Sequence, residues 1–185
     1  MEALFGGSFD PIHVGHLIVA DVLAEALDAT IRFMPAREQP LKRHAGAPAE
    51  DRAAMVALAI RGNPKFRLER LELELPPPSY TVRTLQSLAR REPGNRFALL
   101  VGADAAAELP HWHEVEALPA LADVIAFTRP GGTVAVHPAI TRTLSVPAVE
   151  ISATAIRAQV AASRSIRYLV PDPVREYIAA HGLYR

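Results

Sequence analysis

The sequence contains no cysteine, a single tryptophan and no excess of charge of either sign, with 20 Lys and Arg set against 20 Asp and Glu over 185 residues. The first absence excludes disulfides, a thiolate nucleophile and cysteine-ligated zinc. Balanced charge removes the global field that would draw a protein onto nucleic acid or an anionic membrane, so any anion site has to be local. No uninterrupted apolar run reaches membrane-spanning length, and Met1-Glu2-Ala3-Leu4-Phe5 shows no basic stretch followed by a signal-type apolar region. The expectation is a soluble, cytoplasmic protein with no nucleic-acid or membrane partner; a homo-oligomer is left open. What is present in quantity is apolar: half the residues are hydrophobic, enough for one well-filled core and few for two, so residues 1–185 read as one domain.

Short apolar runs alternate with helical patterns. Ala3-Leu4-Phe5 reads as a buried strand, followed by a Gly- and Pro-rich loop from Gly6 and a helix over 16–27. Further strands are predicted at 30–34, 97–101 and 124–127, with a weaker one near 144–149, and helices at about 50–60, 81–91 and 114–121. Ser152 suits the cap of a helix running to about Ala162, and Pro173 the first turn of a final helix. Residues 66–75 alternate but slip phase between Leu68 and Leu71, which predicts an extended segment bent near Arg70. Strands alternating with helices predict an α/β fold, a Rossmann-like doubly wound parallel sheet with helices on both faces and a ligand crevice beyond the strands' carboxyl ends.

The segment Gly6-Gly7-Ser8-Phe9-Asp10-Pro11-Ile12-His13-Val14-Gly15-His16 lies between that first strand and first helix. Glycines let backbone amides approach a phosphate, and a helix start presents its positive end there. His13 and His16, three residues apart, can both face one triphosphate and stabilise its developing charge. The glycine spacing fits neither the phosphate-loop nor the dinucleotide fingerprint. Instead Gly-x-Phe-Asp-Pro-x-His-x-Gly-His resembles the signature of the nucleotidylyltransferase superfamily, whose histidines bind ATP phosphates. A zinc reading of His13-x-x-His16 needs a third ligand, for which His111-x-His113 is the available source. Asp10 suits the turn before Pro11 better than a magnesium contact.

A second motif, Ile151-Ser152-Ala153-Thr154-Ala155-Ile156-Arg157, sets two hydroxyls, a helix start and an arginine one turn on. It is similar to the Ile-Ser-x-Thr-x-Ile-Arg motif of the same superfamily, with Ala153 where serine is common. The resemblance implies that Gly7, Ser8, Phe9, Gly102, Asp104, Ile151, Ser152 and Thr154 line an ATP site, with His13, His16, Lys42 and Arg157 acting on the phosphates and Arg129 as a lesser candidate. Lys42 is carried over from Gln39-Pro40-Leu41-Lys42-Arg43, which matches only in part the Pro-Pro-His-Lys loop of the nicotinate-mononucleotide adenylyltransferase family.

Three further segments resemble the nicotinate-mononucleotide adenylyltransferase family. Ser79-Tyr80-Thr81 looks like its mononucleotide-holding turn, and Gly102-Ala103-Asp104 through Trp112-His113 like the segment whose tryptophan covers the pyridine ring; an indole is a good platform for a flat ring, although plain core packing is the commoner fate of a tryptophan. The segment from Ile166 to Arg185 also looks like that family's ending. The implied substrate-binding residues are Ser79, Tyr80, Thr81 and Trp112, the implied substrates ATP and nicotinic acid mononucleotide, and the implied cofactor Mg2+ arriving with ATP, with no dedicated metal ligands. The alternatives are an adenylyltransferase for nicotinamide mononucleotide, or less readily phosphopantetheine, and a non-catalytic nucleotide-binding sensor. Intact His13, His16 and Arg157 speak against the sensor.

Overall fold

The computed structural model describes residues 1–40 and 46–185. Its strands are β1 (Glu2–Gly7), β2 (Thr30–Pro35), β3 (Phe66–Leu68), β4 (Phe97–Gly102), β5 (Ala122–Thr128) and β6 (Ile140–Ser145). Its helices are α1 (Val14–Leu27), α2 (Ala49–Ala59), α3 (Leu71–Glu74), α4 (Thr81–Arg91), α5 (Ala103–Ala107), α6 (Leu118–Leu121), α7 (Ala153–Ala161) and α8 (Asp172–Ala180). The strands form one sheet in the order β3-β2-β1-β4-β5-β6, and every neighbouring pair is parallel.

A parallel sheet covered on both faces needs strands that are apolar throughout, and side-chain alternation then deals their residues to two cores. Ala3, Phe5, Ala98 and Leu100 join one buried cluster with residues of α1, α2, α7 and α8. Leu4, Phe97, Leu99 and Val101 join a second with residues of α3, α4, α5 and α6. The strand order reverses between β1 and β4, so their carboxyl ends, at Gly7 and Gly102, bound the crevice of a doubly wound sheet. Among the described residues no helix is long and apolar enough to cross a membrane.

Two predicted segments differ. The extended stretch over 66–75 is a strand only to Leu68; the phase slip marks a change of element at Arg70, and Leu71, Glu72 and Leu73 are buried from the single turn of α3. The last strand spans Ile140–Ser145 rather than 144–149. Pro147 has no N–H to continue a ladder, and the exposed Thr141 and Thr143 suit the outward face of an edge strand.

Candidate active site

The first loop folds back on itself at the end of β1. Phe9 has a positive φ of 47° and is 2% exposed, its ring packed against Phe5, Phe33 and His16. Its side chain therefore belongs to the core, and only its backbone can face a ligand. The Ser8 carbonyl accepts from Arg52 Nη1 at 2.6 Å.

His13 caps the start of α1, and its backbone N–H donates to His16 Nδ1 at 3.2 Å. Accepting at Nδ1 leaves the proton of a neutral His16 on Nε2, where it can be donated outward. The two rings stack with centroids 3.6 Å apart. Gly15 leaves room for this: a Cβ there would lie 3.0 Å from His13 Nδ1, so the ring would have to shift by a few tenths of an ångström. Burial holds His13 down to about 4; burial, with the neighbouring His13 adding to it, holds His16 down to about 3. Both are neutral at pH 7, which makes them hydrogen-bond donors and not cations. His13 Nδ1 is buried without a hydrogen-bond partner among the described residues.

Positive charge comes from α7. Ser152 caps that helix by accepting from the Ala155 N–H, and Arg157, one turn on, donates from Nη1 to the Asp10 carbonyl at 2.7 Å and lies 3.8 Å from the Asp10 carboxylate. Thr154 Oγ1 accepts from Arg157 Nη2 at 3.3 Å, while Ile151 packs at the edge of the first core. Asp10, 3% exposed, gathers other segments as well: its Oδ1 accepts the Ala47 N–H at 2.9 Å and the Tyr184 hydroxyl at 2.7 Å. Gly46 abuts the same carboxylate, where a Cβ would overlap Oδ2. The turn role expected of Asp10 is thus a junction of four chain segments. Lys42 lies outside the described residues.

Two residues of this junction escaped sequence reasoning. Arg52 is 1% exposed and directs its guanidinium to the carbonyls of Ser8, Ala36, Arg37 and Ala47, bracing the first loop against the exit of β2. Its signal was available, an arginine on the inward face of α2 beside Met55 and Val56. Tyr184 lies in the stretch that looks like the family's ending, but nothing in the sequence pointed to its bond, because its partner is 174 residues away.

On the other side of β1 and β4 stand the acceptor candidates. Ser79 Oγ accepts the N–H groups of Arg37 and Glu38 at 3.1 and 3.4 Å, so its oxygen is committed within the protein. Tyr80 precedes Thr81, the first residue of α4; its ring lies 4.4 Å from that of His113 with the Arg83 guanidinium at 4.8 Å. Trp112 is half-buried against the second core. Asp104 is exposed in the first turn of α5, and Arg129 is exposed after β5. His111 faces Glu108 and His113 faces Glu114, and among the described residues no group of three His, Asp or Glu side chains gathers that could hold a metal ion. The carboxyl of Glu72, 5% exposed, is pushed up to about 7 by burial against the opposing hydrogen bonds of Thr84 and Ser79.

Similarity follows the same plan. The cytidylyltransferase-like family matches residues 4–159, from β1 through Arg157. A protein of Thermus thermophilus named "Probable nicotinate-nucleotide adenylyltransferase" is 45% identical over 184 residues, covering 98% of each chain. The chain belongs to the nicotinate-nucleotide adenylyltransferase family. A Roseiflexus relative with the same name is 43% identical, over 98% of this chain and 96% of its own. Among solved structures, the nicotinic acid mononucleotide adenylyltransferase of Plasmodium falciparum complexed with NaAD shares the fold, with a TM-score of 0.81 at 21% identity over 99% of this chain and 96% of that one. Membership in the nicotinate-nucleotide adenylyltransferase family makes the chain a nucleotidyltransferase. The alignment with the bacterial relatives runs past the cytidylyltransferase-like match and takes in the region of α8.

Proposed function

We propose that the protein transfers AMP from ATP to nicotinic acid mononucleotide, forming nicotinic acid adenine dinucleotide and pyrophosphate. The observation that carries this is the meeting of the two phosphate motifs at the end of β1, where Arg157 donates to the Asp10 carbonyl beside the stacked His13 and His16. The bacterial relatives' name supports the substrates.

A phosphate monoester is already anionic near pH 7. Its oxygen attacks the α-phosphorus of ATP directly; the new P–O bond forms as the bond to the β-phosphate oxygen breaks, and pyrophosphate leaves with that electron pair. No general base is needed, and the protein supplies alignment and charge stabilisation. His16 Nε2–H and the His13 ring are placed to donate to phosphate oxygens, Arg157 to offset the charge of the leaving pyrophosphate, and Lys42 is proposed for the same task. Gly7, Ser8, Gly102, Asp104, Ser152 and Thr154 are proposed around ATP, with Phe9 contributing backbone only. Tyr80, Thr81 and Trp112 are proposed around the pyridine ring, with Ser79 acting through the loop it holds.

Magnesium fits as a companion of ATP. Asp10 is engaged by Ala47, Tyr184 and Arg157, and among the described residues no three His, Asp or Glu side chains gather as a metal site, so ATP's own phosphate oxygens are the proposed ligands. A cytoplasmic location goes with these substrates. The test is pyrophosphate release with ATP and magnesium against nicotinic acid mononucleotide, nicotinamide mononucleotide and phosphopantetheine at matched concentrations. Preference for the acid is expected. Preference for the amide overturns the specificity, and no turnover with any of them favours the sensor reading.

A further inference from the structure

Glu72 is a buried carboxyl for which the transfer mechanism has no use. It sits in α3 beneath the first turn of α4, and its Oε1 accepts the Thr84 hydroxyl at 2.9 Å. The Ser79 hydroxyl lines the same cavity and draws that carboxyl back down against the effect of burial. Because Ser79 Oγ already accepts from Arg37 and Glu38, its own proton is what remains for Glu72. One carboxyl thereby holds a residue a turn into α4 and faces another just before it. Tyr80 stands between these two anchors. Glu72, Ser79, Tyr80, Arg83 and Thr84 share the lining of one cavity of about 110 Å³.

We propose that Glu72 is a positioning residue for the acceptor: through Ser79 and Thr84 it holds the turn on which Tyr80 meets the mononucleotide. This rests on the acceptor reading above in one respect, that residues 79–81 meet the acceptor. Charge is not what the role requires. A glutamine can accept from Ser79 with its oxygen and donate to Thr84 Oγ1 with its nitrogen, while the Thr84 proton turns to the Tyr80 carbonyl, 3.3 Å away. A leucine fills similar space but offers neither hydroxyl a partner, so α3 no longer holds α4 through Thr84, which loosens the turn.

The experiment is steady-state kinetics of the full chain with each substrate varied in turn. Glu72→Leu should raise the acceptor KM about tenfold, as loss of buried hydrogen bonds predicts, while kcat and the ATP KM stay within about twofold. Glu72→Gln should restore the acceptor KM to within about threefold of wild type, since its two polar atoms replace the lost bonds. An unchanged acceptor KM in folded Glu72→Leu, an equal shift in the ATP KM, or a Gln variant as impaired as Leu each overturns the proposal. Should Glu72→Leu not fold, Thr84→Val, which removes the hydrogen bond to Glu72, takes its place, with a rise in acceptor KM supporting the role and no rise overturning it. A wild-type enzyme that prefers nicotinamide mononucleotide overturns the acceptor's identity, yet a Glu72→Leu shift in that acceptor's KM sustains the positioning role. A wild type that neither binds nor turns over a pyridine mononucleotide overturns both.

Discussion

The proposed phosphate and acceptor sides of the crevice are held in different ways. On the phosphate side, Asp10 is buried and receives bonds from the loop before α2, from α7 and from Tyr184, His16 stands against Phe5 and Phe9, and burial suppresses the charge of both histidines. On the acceptor side, Tyr80 and Trp112 are half-buried, and the contacts are ring faces, 4.4 Å between Tyr80 and His113, with the turn underneath secured by Glu72. Transition-state charge demands donors fixed in place before reaction. Recognition of a flat ring needs a face to stack on, and an exposed face serves. Damage on the phosphate side should therefore appear in turnover, and damage on the acceptor side in affinity.

The sharpest test of that division is His16→Ala, which should lower kcat on the order of a hundredfold, as with other lost transition-state donors. Near-normal kcat in a pyrophosphate-release assay would remove the contrast altogether. The second test uses the suppressed charge. Unfolded histidine titrates near 6.5, whereas His13 and His16 are held to about 4 and about 3. Between those values the unfolded chain binds protons that the folded chain refuses, so stability is complete above roughly pH 6.5 and is lost as pH falls toward 4 and then 3. His16→Ala should flatten that decline by roughly 1 kcal/mol per pH unit. Urea unfolding between pH 4 and 7 measures it, and an unaltered slope would show His16 to be solvated.

On the other side, Trp112→Ala should raise the acceptor KM about tenfold and leave the ATP KM in place, as loss of a stacking platform predicts. An unfolded variant would instead make Trp112 a core residue. The smallest effect should come from Tyr184→Phe, which removes one hydrogen bond to a buried carboxylate and costs about 1–2 kcal/mol of stability. A loss confined to turnover, with the unfolding midpoint unchanged, would show that Tyr184 orders the loop without securing the fold.

The phosphate side was also the more legible in the sequence. Gly7, His13, His16, Ser152 and Arg157 lie in two local runs whose spacing encodes a loop and a helix start, and local geometry suffices to face them one way. Phe9 was legible as a motif position but not as a core residue, because its inward turn depends on Phe5 and Phe33. On the acceptor side, Ser79 could be read as a substrate contact only until its partners Arg37 and Glu38, some forty residues earlier, were in view. Glu72 sat in a segment read as extended, and alternation could not show that it turns helical after Arg70.

By itself the sequence determined the strand–helix alternation, the parallel sheet that alternation requires, and the two motifs suited to phosphate, since each is set by periodicity or by neighbours within a few residues. Tertiary structure alone decided that Asp10 would join Ala47, Arg157 and Tyr184, that Arg52 would be spent on four carbonyls, that both histidines would be neutral, and that Glu72 would lie beneath Ser79 and Thr84. Those outcomes depend on burial and on partners distant along the chain, and neither exists until the sheet has brought the segments together.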